Sequence, residues 1–158
     1  MSGPYKTVAA PAPSVGRVTE TLVPPDTRLA VLLRDDLAVW QRLNVTAFLV
    51  SGLAARWPGL VGEPYADADG TGYLPVFGRP VMVYEGTRDV LAAARERALA
   101  RGLDFPVFTA DLFATGNDRD NRAAVRAVAG SHLDLVGLAV HAGRSAVDKV
   151  LKGARLHP

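Results

Sequence analysis

Leu29-Ala30-Val31-Leu32-Leu33 is an unbroken apolar run closed by Arg34-Asp35-Asp36. A strand with one face in a core alternates apolar and polar side chains. A run without alternation needs cover on both faces, as in a parallel or mixed sheet flanked by helices. A second apolar segment follows at once. Gln41 to Arg56 carries Leu43, Val45, Ala47, Phe48, Leu49, Val50 and Leu53. It is apolar almost all round, which predicts a largely buried helix. Trp57-Pro58-Gly59 stops it.

Further along, Leu60 to Tyr65 reads as a short strand, and Asp67-Ala-Asp-Gly-Thr-Gly72 as a turn of the kind that joins hairpin strands. Pro80 to Tyr84 reads as another inner strand. Thr87 is a good N-cap for a helix over Arg88 to Arg101, and Gly102 suits the position just past its end. Leu103 to Phe108 returns to the sheet. Asn117-Asp118 opens a helix to about Ala129, Leu133 to His141 is a strand, and Gly143 to Leu151 a short final helix. The order β-α-β-β-α-β-α-β-α predicts an α/β three-layer sandwich, with helices on both faces of a mixed, mostly parallel sheet of four to five strands.

Met1 to Pro25 is rich in Pro, Ala, Ser and Thr. Such a segment cannot propagate a helix or enter the middle of a sheet, so it reads as an extended or disordered arm. Only Val18 to Val23 has the alternation of an edge strand. The ordered domain is expected over 26–158. The 158 residues suit one domain with a real core. Hydrophobic residues make up 49% and charged residues 22%, the balance of an ordinary globular protein. Without cysteine there is no disulfide framework, thiolate zinc site or cysteine nucleophile. This fits a reducing, cytoplasmic interior. A net charge of +2 is too mild to announce a nucleic-acid partner. No apolar run reaches the roughly 18 residues of a membrane span, and no secretory leader is evident.

Candidate chemistry gathers in a few places. Phe105-Pro-Val-Phe-Thr-Ala-Asp-Leu-Phe-Ala-Thr115 is an apolar strand that ends in Asp111, with Thr115 four residues on. A carboxylate and a hydroxyl at a strand end could orient a water or hold an oxyanion, although both residues also favour turns and caps. Asp35 and Asp36 follow the first strand and could hold a cation or a substrate amine; capping explains them too. Asn44, Thr46 and Ser51 interrupt the apolar helix, and Asn44 and Ser51 are seven apart, on one face. Buried polar groups need partners, which a substrate could supply. Gly143-Arg144-Ser145 at a helix start could hold an anion. His132, His141 and His157 lack metal-binding spacing, and His141 reads as a solvated strand end. No dinucleotide, phosphate-loop or nucleophile-elbow motif is present, so no cofactor or metal is expected.

Val31-Leu-Leu-Arg-Asp-Asp-Leu37, the helix after it, Val81-Met-Val-Tyr84, Arg95 to Leu103, the Asp111 and Thr115 pair and Val147-Asp-Lys-Val150 resemble, in order, type II peptidyl-tRNA hydrolases. A closer resemblance is to a bacterial relative of that fold, the family called domain of unknown function number 2000. It rests on Asp35-Asp36-Leu37, Asn44, Asp69-Gly70 and Asp148-Lys149-Val150. The resemblance implies the hydrolase fold over about Arg28 to Leu156, with Asp111 and Thr115 as the acid and threonine of its site. Where the hydrolases place a lysine, this chain has Asn44 or Leu43, and Ser51 stands near their histidine position. The implied protein has a rebuilt pocket and acts on a small acyl or aminoacyl-type substrate. Asp111, Thr115 and Asn44 are its catalytic candidates, and Asp35, Asp36, Ser51 and Arg144 are substrate-binding candidates. The alternative is a non-catalytic module that binds a small molecule or a partner, including a second copy of itself. Genuine peptidyl-tRNA hydrolysis stands third.

Overall fold

A computed structural model of the chain describes residues 24–158. The proline-rich arm and the edge strand expected at Val18 to Val23 lie outside them. In chain order the elements are β1 (Thr27–Arg34), α1 (Val39–Arg56), β2 (Tyr65–Ala66), β3 (Gly72–Tyr73), β4 (Val81–Gly86), α2 (Arg88–Ala100), β5 (Val107–Thr109), α3 (Asp118–Arg126), β6 (Leu135–Gly143), α4 (Arg144–Val150) and β7 (Arg155–Leu156). Short 3-10 turns occupy Pro58–Leu60, Ala110–Ala114 and Gly130–His132.

Five strands form one sheet in the order β5-β6-β1-β4-β7, and β2 and β3 form a separate small hairpin. β1 lies at the centre because its side chains demand it. Leu29, Val31 and Leu33 pack on one face with Val45, Leu49 and Leu53 of α1. Ala30 and Leu32 pack on the other with Leu91, Ala94 and Ala98 of α2 and Val147 and Val150 of α4. The expected three layers follow directly from that division.

The sheet is mixed, and its expected mostly parallel character is corrected. Only β1 and β4 run parallel. β1–β6, β5–β6 and β4–β7 are antiparallel. Burial on two faces fixes how apolar a strand must be, whatever the direction of its neighbours. β1, β4 and β5 run one way and β6 and β7 the other, and β6 enters between β5 and β1, so β1–β4 is the one neighbouring pair that is parallel. Among the elements missed from sequence is β7, a two-residue edge strand too short to carry a period.

The helix signals read locally were sound. Val90 donates its N–H to Thr87 Oγ1 (3.3 Å), and Gly102 has φ +64°. α1 differs from expectation. Its buried residues are Val45, Leu49 and Leu53, a single stripe at intervals of four. Val39, Trp40, Leu43 and Phe48 are exposed. A helix lying on a sheet buries one stripe, and composition alone does not say which apolar residues fall on it. Among the described residues no helix is long and apolar enough to cross a membrane.

Candidate functional site

Trp40, Asn44 and Phe48 recur at intervals of four along α1, so they share one face. That face looks across a cleft at α3. The start of α3 is fixed by Asn117, whose Oδ1 accepts the Asp120 N–H (2.9 Å), and Asp118 and Asp120 suit the positive end of the helix. Asn121, Arg122, Val125 and Arg126 then line the far wall, three to four residues apart. Val107 and Phe108 of β5 form the floor, and Leu112 and Phe113 of the 3-10 turn close one end. The cavity is about 880 Å³, within the size range of small-molecule sites.

Four aromatic rings form an arc in its wall. Trp40 meets Phe113 edge-on at 5.7 Å, Phe113 lies 5.2 Å from Phe108, and Phe108 meets Phe48 edge-on at 5.6 Å. Such contacts fix the rings and offer a preformed apolar surface. Polar groups interrupt it at Asn44, Thr115 and Asn121. The Thr115 hydroxyl lies within reach of the Leu112 carbonyl (2.9 Å) and of the Asn121 side-chain amide. A carbonyl can only accept, so the hydroxyl gives its one proton to Leu112 O and takes a hydrogen bond from the Asn121 amide N–H. Arg122 pairs with Asp118 across one helical turn. Arg126 has no charged partner among the described residues and faces the cavity.

Of the seven residues expected to form a site, Asn44 and Thr115 converge here. Asp111 does not; it is exposed on the turn before Leu112 and is not part of the cleft wall. Ser51 donates to the Phe48 carbonyl (2.5 Å) on the outer side of α1. Asp35 flanks a different groove; its backbone N–H donates to Gly86 O (2.9 Å), tying the ends of β1 and β4. Asp36 is ion-paired with Arg34 (2.6 Å), and Arg144 with Asp26 (3.1 Å), and neither lines the cleft. No group of three potential metal ligands occurs among the described residues.

Residues 27–158 match the family model described as protein of unknown function (DUF2000). The chain belongs to this family. A solved structure similar to it is that of Atu0240, a protein of unknown function from Agrobacterium tumefaciens strain C58. The two share 43% identity and a TM-score of 0.82, over 84% of this chain and 98% of that one. No curated protein matches.

In this DUF2000 chain two buried polar clusters escaped the sequence reading. Arg42 holds the first together. It donates from Nε to Leu37 O (3.0 Å), from Nη2 to Asp35 O (2.5 Å), and from Nη1 to Glu85 Oε2 (2.7 Å) and His157 Nε2 (2.8 Å). Arginine can only donate, so His157 accepts at Nε2 and gives its Nδ1 proton to Pro158 O (2.9 Å). Arg155 also donates to Glu85 (2.7 Å), which is 4% exposed. Hydrogen bonds from Arg42 and then Arg155 hold the Glu85 carboxyl below the usual carboxylate range.

The second cluster corrects the reading of His141, which is buried. Its ring meets Trp57 edge-on at 4.9 Å, and its Nε2 lies 2.9 Å from Thr27 Oγ1. Thr27 donates to Pro24 O (2.9 Å) and accepts from Arg79 (2.6 Å), so the Nε2 proton belongs to the histidine. His141 Nδ1 has no partner among the described residues. Burial, then the Arg79 charge, lowers the His141 pKa. Each such cluster joins residues far apart in sequence, which no local spacing announces. The cleft aromatics did carry a signal, the recurrence of Trp40, Asn44 and Phe48 at helical spacing.

Proposed function

We propose that this chain binds a small molecule with an apolar acyl or aryl body and an amide- or carboxylate-bearing head, the combination found in acyl and aminoacyl compounds. The observation that carries the reading is Asn44, set between Trp40 and Phe48 on one wall and facing the polar pair Thr115 and Asn121. The aromatic arc takes the apolar body, and the Asn44 carboxamide, which both donates and accepts, meets the head. The Arg126 guanidinium, without a charged partner among the described residues, suits a head that is anionic. The resemblance to type II peptidyl-tRNA hydrolases supports an aminoacyl-type ligand.

Titration of the protein with N-acyl amino acids and their amides, followed by amide chemical shifts, tests this. Loss of one hydrogen bond costs about 1.4 kcal/mol, so Asn44→Leu binds about tenfold more weakly than the parent. Equal affinity in the two proteins refutes the assignment. Asn44 is exposed, so the fold tolerates the change.

A further inference from the structure

We infer that the ligand of the aromatic cleft is a short linear peptide, bound in extended form as an added strand on the free edge of β5. This rests on the reading of the cleft as an acyl or aminoacyl site and adds what its floor contributes. β5 is the outer strand of the sheet and pairs only with β6. Along an antiparallel pair, residues alternate between bonding the partner with both backbone groups and turning both groups away from it. Ala139 donates its N–H to Pro106 O (3.3 Å), so Pro106 faces β6. Phe108, two residues on and opposite Gly137, faces β6 as well. Val107, opposite Leu138, therefore turns its N–H and C=O toward the free edge, and among the described residues nothing bonds them.

Val107 meets the cleft with its backbone. Its side chain packs on the α2 face of the sheet, whereas the Phe108 ring packs on the α1 face. Both residues nevertheless line the cleft. The floor is thus one unpaired N–H and C=O beside an aromatic ring. A ligand lying on that floor strips water from both groups. A purely apolar body leaves them unpaired and loses affinity, whereas a peptide main chain supplies an acceptor and a donor at the matching spacing. The edge is open to such a partner. β5 carries none of the charges that blunt an edge strand, and the N–H that Pro106 lacks lies on the β6 side. The cleft walls, α1 and α3, flank the seat, so a single strand fits where a second sheet edge does not.

The pairing sets the phase of the ligand. β5 presents one outward residue, and an antiparallel partner satisfies both of its groups with one residue of its own. Residues opposite each other in a sheet project to the same face, and successive residues alternate. The peptide residue opposite Val107 therefore points its side chain away from α1. Its two neighbours turn their main chain away from β5 and send their side chains to the Phe108 side, where Phe48 and Phe113 complete the aromatic wall. A peptide with a small residue between two large apolar ones fits this seat.

Titration of the full chain with acetyl-Leu-Ala-Leu methylamide, followed by amide chemical shifts, tests the inference. Binding shifts the Val107 amide proton and protects it from exchange. N-methylation of the central alanine removes the N–H that meets Val107 O and weakens binding at least about tenfold, the worth of one hydrogen bond. N-methylation of the second leucine, whose N–H faces away from β5, leaves affinity unchanged. Shortening either leucine to alanine weakens binding about tenfold through lost apolar contact. On the protein side, Val107→Pro deletes the free N–H and no bond to β6, and lowers peptide affinity about tenfold. If that variant does not fold, the peptide series on the parent decides alone. Equal affinity of the peptide and its centrally N-methylated form overturns the inference. So does binding of N-acyl amino acids without binding of the peptide, a result that leaves the acyl reading of the cleft standing. Failure of both ligand classes to bind overturns the two together.

Discussion

A single methyl group added to β6 should destabilise the domain and disturb the cleft together. A Cβ on Gly137 would lie 2.7 Å from Val45 Cγ1 and 2.9 Å from Leu49 Cδ1, distances that real contacts do not reach. Both partners are buried on the inner stripe of α1; the end of Leu49 can turn aside, but the branched Val45 has essentially one rotamer in a helix and cannot yield. The helix must lift off the sheet instead. Overpacking of this kind costs about 1–3 kcal/mol. Gly137 has no positive φ, so alanine fits the backbone there and regains about 0.4–1 kcal/mol from the unfolded chain. Gly137→Ala is therefore expected to lose about 1–2 kcal/mol in urea denaturation at an unchanged m value. Val45→Ala removes the nearest obstructing atom, so the double variant should be more stable than the sum of the single losses by about 1 kcal/mol. The lift also moves Trp40, Asn44 and Phe48, so ligand affinity should fall in Gly137→Ala and recover in the double variant. A Gly137→Ala protein as stable as the parent, or strict additivity with Val45→Ala, would refute the claim that this contact sets the height of α1.

Two other perturbations probe the same architecture. Asn117→Ala removes the cap of α3 and should cost about 1 kcal/mol; because α3 has only nine residues and forms one cleft wall, ligand affinity should fall with it, and an unchanged affinity with a frayed α3 would detach the helix from binding. His141 should make stability depend on pH near neutrality. Its folded pKa lies below the ordinary value of about 6.5, so the unfolded chain binds the proton more readily. The stability it contributes is complete above about pH 6.5 and is lost as the pH falls through that value toward the depressed folded pKa. Denaturation midpoints between about pH 7.5 and 5 should slope downward with acidity, and His141→Phe should flatten the slope; a His141 ring that titrates at or above 6.5 by nuclear magnetic resonance contradicts the burial argument.

The parts of this fold that could be read from the sequence are those decided within a few residues. The uniform apolar run of β1, the Thr87 and Asn117 caps, Gly102 past α2 and the Asp67 turn all report local geometry. In that turn Asp67 accepts the Asp69 and Thr71 N–H groups (3.0 and 2.9 Å), which closes the hairpin of Tyr65 on Tyr73 without help from the rest of the chain. Strand direction is decided elsewhere. Nothing inside Leu135 to Gly143 states that it lies antiparallel to both β1 and β5; that depends on where the chain re-enters the sheet after α3.

The same distinction separates Thr115 from Asp111. A spacing of four aligns two side chains on an α-helix, at about 100° per residue. Asp111 lies inside the 3-10 turn Ala110–Ala114, whereas Thr115 follows it in extended backbone (φ −97°, ψ 158°), so no common period sets the directions of the two groups. Thr115 enters the cleft and Asp111 faces out. α1 is apolar in composition on more sides than it is covered. A helix that is apolar all round calls for cover on every side, and this chain supplies it on one stripe only. The remaining apolar residues fall where the chain leaves space rather than contact, in the cleft at Trp40 and Phe48 and in the groove at Val39 and Leu43. Asn44 is the position that separates the two flanks. A helix surface meant only for another helix has no need of a carboxamide between two aromatic rings, which is the argument for placing the proposed ligand on the Trp40, Asn44 and Phe48 face. Val39 and Leu43 lie on the other flank, along the groove beside β4, so neither belongs to that face.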